Sequence, residues 1–77
     1  MARFKVSRHA RDRMQQRGVS VDDILLVWLN PHEDRPSPDH PDARVRTGWL
    51  PNGDEVTVVA VQTPDAFNVI TVWWKVR

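Results

Sequence analysis

The chain has 77 residues and a mass of 8.9 kDa, enough for one small domain, 1–77, whose expected stability is marginal. A composition of 40% hydrophobic and 27% charged residues is typical of a folded domain and excludes a disordered tail. No apolar run approaches the roughly 18 residues that a membrane-spanning helix needs, so no membrane partner is expected. With no signal-peptide pattern and no cysteine, the expected compartment is the reducing cytoplasm.

The net charge of +1 conceals a segregation of charge along the chain. Residues 1–20 hold six basic side chains and one acidic, residues 21–42 hold one basic and six acidic, and the remainder is nearly neutral. Because a basic segment acts over about 8–10 Å at physiological salt, a near-neutral total does not exclude a polyanion as partner. Nine of the eleven basic residues are arginine, which suits bidentate phosphate contacts. A GC-rich codon bias is the alternative explanation.

A strand and a helix are predicted at the start of the chain. Alternation of apolar and charged side chains over 2–6 predicts a short strand. Ser7 is suited to cap a helix that runs to about Arg17, with Gly18 just past its end. Residues four apart on this helix form one stripe, made of His9, Arg13 and Arg17.

The second predicted helix begins after Ser20, which forms a capping-box pattern with Asp23, and Pro31 ends it. This helix is apolar nearly all round, so it is buried on two sides or part of it awaits a partner. Residues 31–42 contain four prolines and are predicted to form a loop. Twelve residues are long for a connection in a compact domain, so the loop is functional, mobile, or both.

The final stretch is a predicted β-meander with strands over 43–50, 55–62 and 67–77. Asn52 and Gly53 predict a two-residue hairpin turn, and residues 63–66 predict a second turn. In the last strand one face is expected to carry Ile70, Val72, Trp74 and Val76, and the other Phe67, Val69, Thr71, Trp73 and Lys75. The order β-α-α-β-β-β indicates an α+β domain with two helices on one face of a small antiparallel sheet. The other face is expected to be open and partly polar.

Three histidines are candidates for acid–base chemistry. His32 and His40 lie in the acidic, proline-rich loop and are expected to be solvated. No cofactor and no metal site are expected, because there is no cysteine and no pair of histidines four residues apart. His9 lies among arginines near the start of the first helix, where an imidazole suits proton transfer near neutral pH. The alternative for His9 is a structural role in the first turn.

Basic and aromatic residues of the predicted sheet suggest a nucleic-acid surface. RNA cleavage by a 2′-hydroxyl needs a base, an acid and positive charge near the phosphorane. Arg46 and Lys75 are catalytic candidates for that charge, and Arg44 is a candidate RNA contact. If their faces coincide, they form a basic concavity with Trp73, which could stack a base. The alternatives are solvated arginines and a tryptophan that belongs to the core.

Residues 7–20 resemble the opening signature of a family of small bacterial domains of uncharacterised function, with the pattern His-Ala-x-x-Arg-Met-x-x-Arg-Gly-Ile-Ser. His9, Arg13 and Arg17 match that pattern, and Val19 stands in the isoleucine position. The helix that ends at Pro31 also resembles BrnT-type toxins, and residues 69–72 resemble the family's last strand. These families are grouped with RelE-like and BrnT-like ribonuclease toxins, which share a β-α-α-β-β-β core.

The resemblance implies a metal-independent endoribonuclease of a toxin–antitoxin system, acting on free RNA or ribosome-bound mRNA and paired with a protein antitoxin. It implies His9 as base or acid, Arg13 as a phosphate ligand and Thr71 as an orienting group. Arg8 and Arg17 are further expected RNA contacts. Two alternatives stay open. One is a non-catalytic interaction module that binds a partner or a second copy of the chain; the other is a salt-sensitive nucleic-acid binder that does not cleave.

Overall fold

The computed structural model describes residues 3–75, which form two α-helices and five β-strands. In chain order these are β1 (Arg3–Val6), α1 (Arg8–Arg17), α2 (Val21–Leu29), β2 (Glu33–Pro36), β3 (Arg44–Trp49), β4 (Glu55–Gln62) and β5 (Ala66–Lys75). The predicted α+β class, with two helices against one sheet, is confirmed. Residues 2, 76 and 77 of the predicted end strands lie outside the described residues. No helix within 3–75 is long and apolar enough to cross a membrane.

The sheet is mixed, with the strand order β1-β5-β4-β3-β2. β1 pairs with β5 in parallel, with Val6 opposite Val69, while the other pairs are antiparallel. Side-chain alternation left the partner of the first strand open, because alternation is the same for both strand directions; its parallel pairing makes the expected antiparallel sheet a mixed one. The segment predicted as a loop contains β2, an edge strand whose charged side chains and Pro36 are typical of protected sheet edges.

The ends of both helices are as predicted. Ser7 caps α1 by accepting a hydrogen bond from the Ala10 backbone N at 3.1 Å, and Gly18 ends it in the left-handed region, with φ of 69°. At α2 the capping box is complete, because the Ser20 and Asp23 side chains each accept the other residue's backbone N–H. Caps depend on residues three or four apart, which is why sequence alone locates these helix ends.

The main core lies between the helices and one face of the sheet, the helix face. Trp28 of α2 is its largest buried side chain, packed edge-on against Phe67 with ring centroids 4.9 Å apart. Its indole N–H donates to Gln62 Oε1 at 3.1 Å. Gly48 lets α2 approach β3 closely, because a Cβ at that position would lie 3.2 Å from the Asn30 carbonyl oxygen and 3.3 Å from a Val27 methyl.

A β-bulge in β5 changes which side chains share a face. Val59 lies opposite Thr71 but Ala60 lies opposite Val69, so Ile70 is an extra residue in β5. The prediction of strict alternation along this strand is wrong here, because a bulge shifts the alternation by one residue. The helix face of β5 thus carries Phe67, Val69, Val72 and Trp74, and the opposite face carries Thr71, Trp73 and Lys75.

The two predicted turns are present, but the first is longer than expected. The backbone N of Leu50 bonds to the Asp54 oxygen at 2.9 Å, which leaves three residues between the two. Pro51 fits the second position of the turn that Gly53 closes, and Gly53 has φ of 92°. The predicted turn at 63–66 is confirmed by reciprocal backbone hydrogen bonds between its first and last residues.

Candidate functional site

The face of the sheet opposite the helices, the open face, presents side chains in rows across the strands. Strand register places Arg35, Val45, Val59 and Thr71 in one row. The next row holds Glu33, Thr47, Thr57 and Trp73, and the one after it holds Trp49, Glu55 and Lys75. Thr71, Trp73 and Lys75 therefore share a face, as expected, and Arg35 of β2 joins them.

A cleft of about 160 Å³ opens on this face where the segment after β2 lies over the sheet. We call it the sheet cleft. Its lining residues are Arg35, Ser37, Pro38, Asp39, His40, Val45, Val59, Thr71 and Trp73. The cleft combines an aromatic ring, a guanidinium, an imidazole, a carboxylate and two hydroxyls in one small volume.

The segment that carries His40 is tied to itself by hydrogen bonds. The Ser37 backbone N donates to the Ala43 oxygen at 3.0 Å, and the Ala43 N donates to the His40 oxygen at 2.9 Å. The His40 N in turn donates to the Ser37 hydroxyl at 3.3 Å. Pro38 and Pro41 further restrict this segment, so His40 is held at the cleft by a constrained backbone.

A small apolar cluster seats this segment on the open face. Buried Ala43, Val45 and Val59 pack together, with partly buried Val61 and Ile70 against them. The bulge at Ile70 places that side chain in this cluster. Sequence reasoning missed Arg35 and His40 as site residues, because the pattern of 31–42 carries no signal for a strand that pairs with β3.

The site residues predicted on α1 lie away from the sheet cleft. The Arg13 Nε donates to the Val72 carbonyl oxygen at 2.8 Å. Its guanidinium carbon lies 5.6 Å from the Trp74 ring centroid, and that of Arg17 lies 5.5 Å from it. The Trp74 ring packs against the main core, whereas Trp73 lines the sheet cleft. His9 is exposed on α1 and does not line the sheet cleft.

Arg13 has a structural role at the edge of β5. β1 pairs with β5 only as far as Val69, so the outer edge of β5 beyond that residue lacks a strand. Ser7 and Arg13 bond to that edge instead, at the Ile70 and Val72 carbonyl oxygens. Two residues of the α1 signature thus satisfy backbone acceptors that a longer β1 would otherwise bond.

Arg44 and Arg46 lie on the helix face, so their face does not coincide with that of Trp73 and the conditional basic concavity is not formed. Alternation along β3 places them on the same side as Gly48, beneath α2. The Arg46 Nη1 donates to the Trp28 carbonyl oxygen at 2.9 Å, and its guanidinium carbon lies 4.3 Å from the Trp28 ring centroid. Arg46 thereby places a positive charge at the C-terminal end of α2, where it is stabilising. Its catalytic role stays a prediction.

Asp34 of β2 bridges the two arginines of β3. Its carboxylate oxygens lie 3.0 Å from Arg44 Nε and 3.3 Å from Arg46 Nε. Burial by itself would raise the pKa of Asp34, but the hydrogen bond from Arg44 and the charge of Arg46 outweigh it and hold that pKa below its ordinary value of 3.8. The ion pairs of this edge fasten β2, and with it Arg35, to β3.

We expect Asp34→Asn to lower the free energy of unfolding at neutral pH but not in strong acid. A carboxyl whose pKa is lowered by folding adds stability above its unfolded-state pKa and loses it as the pH falls through the folded-state value. Because the partners are partly exposed, the difference at pH 7 should stay under about 1 kcal/mol. Urea denaturation over a pH series measures it. A difference that persists unchanged in strong acid would contradict the ion-pair explanation.

The fold and the sheet cleft define a small α+β domain with a polar, aromatic-lined site on the open face of its sheet. The chain belongs to the DUF4258 family, a domain of unknown function, whose sequence profile matches residues 6–74. Neither a curated protein nor a solved structure matches the chain significantly. The predicted membership of a family of small domains of uncharacterised function is confirmed. Within the described residues, no three His, Asp or Glu side chains are grouped to hold a metal ion.

Proposed function

We propose that this protein is a toxin-like endoribonuclease of the cytoplasm that cleaves RNA without a metal ion, with its single-stranded substrate bound in the sheet cleft. The observation that carries the proposal is that Trp73, Thr71, Arg35 and His40 line one cleft. This set offers a stacking surface, a phosphate ligand and a proton-transfer group. The proposed relationship to RelE-like and BrnT-like toxins rests on the resemblance of the α1 signature.

Trp73 supplies the base-binding surface. Trp73 is 41% exposed although it pairs with Thr57 of the neighbouring strand β4, so one part of the indole is available to a ligand. Stacking of a base on an aromatic side chain contributes about 1–3 kcal/mol to single-strand binding. The Thr71 hydroxyl lies two residues away on the same face, within the same cleft, and can donate to a phosphate oxygen.

Arg35 is the cation we assign to the phosphate. Its Nε lies 3.2 Å from Glu33 Oε1, and both side chains are about half exposed. An exposed ion pair of this kind contributes at most about 1 kcal/mol, whereas a bidentate arginine–phosphate contact is stronger. A substrate phosphate can therefore displace Glu33 from Arg35. Lys75 lies on the same face beyond Trp73 and extends the positive charge.

The reaction is an attack of the ribose 2′-hydroxyl on the adjacent phosphorus. A bond forms between O2′ and phosphorus while the bond from phosphorus to O5′ breaks, leaving a 2′,3′-cyclic phosphate and a 5′-hydroxyl. A base takes the proton of the 2′-hydroxyl and an acid gives a proton to O5′. We assign one of these transfers to His40, because it lines the cleft, whereas the resemblance assigns it to His9. Arg13 and Arg46 bond to backbone carbonyl oxygens of the fold instead.

Purified protein should cleave labelled single-stranded RNA in the presence of a chelator and should leave products ending in 2′,3′-cyclic phosphate. DNA of the same sequence should stay intact, because it lacks the attacking hydroxyl. Binding without cleavage would instead support the salt-sensitive nucleic-acid binder. If the protein neither binds nor cleaves RNA, both the nuclease and the nucleic-acid binder are wrong.

Trp73→Ala should weaken binding of a non-cleavable single-stranded RNA by roughly 5- to 150-fold, the equivalent of the stacking free energy. Trp49→Ala is the matched control, since Trp49 is 58% exposed on the same face but stacks on His32 outside the cleft. Fluorescence anisotropy measures both dissociation constants. Equal losses in the two variants would show that the cleft is not the binding site.

An interaction function is the second candidate, and the exposed side of α2 favours it. Leu29 is 72% exposed, and Val21 and Leu26 are each about 40% exposed. Exposed apolar residues on one helix are typical of surfaces that bind another protein, such as an antitoxin or a second copy of the chain. A stable oligomer by light scattering, with no RNA cleavage, would favour this function over the nuclease.

A further inference from the structure

The exposed side of α1 carries a positive charge that the fold does not neutralise. We call it the α1 surface; its exposed charged residues are Arg8, Arg11, Asp12 and Arg17. None of them lines the sheet cleft. The four ion pairs found among the described residues all lie within 32–55, so no α1 arginine takes part in one. Even the Arg8–Asp12 pair that helical spacing permits is not formed.

The position of each arginine decides how much of this charge a ligand can reach. Arg17 lines a small cleft together with two acidic residues, Asp23 and Asp54. Arg8 and Arg11 are exposed, and Asp12 is the one acidic residue of their helix. The N-terminal half of α1 is therefore the more positive part of the surface.

The chemistry of the α1 surface differs from that of the sheet cleft. α1 has ten residues and no Phe, Tyr or Trp, so its one ring for stacking an unpaired base is the small imidazole of His9. The arginine and glutamine side chains of α1 can bind phosphate and sugar oxygens. Ten helical residues span about 15 Å. A duplex presents closely spaced phosphates over such a length, and RNA duplexes are recognised by shape and backbone contacts.

We infer that the α1 surface binds the sugar–phosphate backbone of an RNA duplex while the sheet cleft takes the single strand that adjoins it. The inference rests on the proposed function, and it narrows the substrate to structured RNA with an unpaired segment beside a helix. Such an RNA makes contacts on two separate parts of the protein, and the duplex contacts are independent of sequence.

The test compares two 2′-O-methyl RNAs, which cannot be cleaved: a short single strand, and the same strand extended from a hairpin. The native chain should bind the hairpin form at least about tenfold more tightly, with a steeper dependence on salt. The variant Arg11→Gln with Gln15→Glu, two exposed positions outside the cleft, should lose most of that gain and about one unit of the salt slope. Its affinity for the single strand should stay within about twofold. Arg11→Lys keeps the charge and should keep the gain.

Each other outcome overturns the inference. A native chain that binds both RNAs equally has no duplex site, and its α1 charge then suits an acidic protein partner instead. A double variant that keeps the full gain places the duplex contacts elsewhere. A double variant that also loses affinity for the single strand shows that the α1 surface is not a separate duplex site. Because these RNAs cannot be cleaved, the result does not depend on catalysis. A duplex preference without any nuclease activity would contradict the proposed function alone.

Discussion

His40→Ala should lower the rate of RNA cleavage by about 10²- to 10⁴-fold, the range that a general acid or base contributes. His40 lines the sheet cleft with Trp73 and Arg35, and its backbone is held by Ser37 and Ala43. Removing the imidazole takes away the proton-transfer group but leaves those two substrate contacts. We therefore expect the rate at saturating RNA to fall while the dissociation constant changes little. Single-turnover cleavage and anisotropy measure the two quantities.

Two other histidines provide the controls. His32 bonds to Glu55 at 3.0 Å and stacks on Trp49, away from the cleft, so His32→Ala should cleave at nearly the native rate. His9→Ala should do the same if the proton transfer belongs to His40. If His9→Ala abolishes cleavage and His40→Ala does not, the assignment to His40 is wrong, and the role implied by the family signature holds instead.

Arg13→Ala should lower the free energy of unfolding by about 2 kcal/mol, which is a large share of the stability of so small a domain. The variant loses the Nε hydrogen bond to Val72 and the guanidinium over the Trp74 ring. A hydrogen bond from a charged donor contributes about 1.5–3 kcal/mol, and a partly exposed cation–π contact about 0.5–1 kcal/mol. Urea denaturation followed by tryptophan fluorescence measures the change.

Arg17→Ala is the matched control, because Arg17 lies over the same Trp74 ring without the hydrogen bond to Val72, and its loss should cost less than about 1 kcal/mol. Arg13→Lys should fall between native and Arg13→Ala, since an ammonium group can lie over the ring but cannot reproduce the arginine fork. An Arg13→Ala variant as stable as the native chain would refute the edge-binding role. The arginine would then be available for the phosphate role that the signature implies.

The predictions that held were those set by near neighbours in the chain. Ser7, Gly18 and the Ser20–Asp23 pair located the helix ends, because a cap is a contact between residues at most four apart. Alternation and turn residues likewise located β4 at 55–62. The α+β class followed from the order of these elements.

The candidate site was predictable only in part, because some of its residues are brought together by pairing between separate strands. Thr71 and Trp73 lie two residues apart on one strand, and alternation after the bulge puts them on one face. Arg35 and His40 reach them only because β2 pairs with β3 and a buried Ser37 anchors the segment that follows. Nothing within a few residues of His40 indicates those long-range contacts.

The sequence alone determined the helices, their caps, four of the five strands and the basic character of α1, since each depends on local spacing and composition. Only the tertiary structure decided where the charges act. It placed Arg13 on the edge of β5 and Arg46 beneath α2, and it left the N-terminal half of α1 unpaired. Pairing direction, the bulge at Ile70 and the register of β2 set these positions. They depend on pairing between separate strands, which the side-chain periodicity of a single strand does not encode.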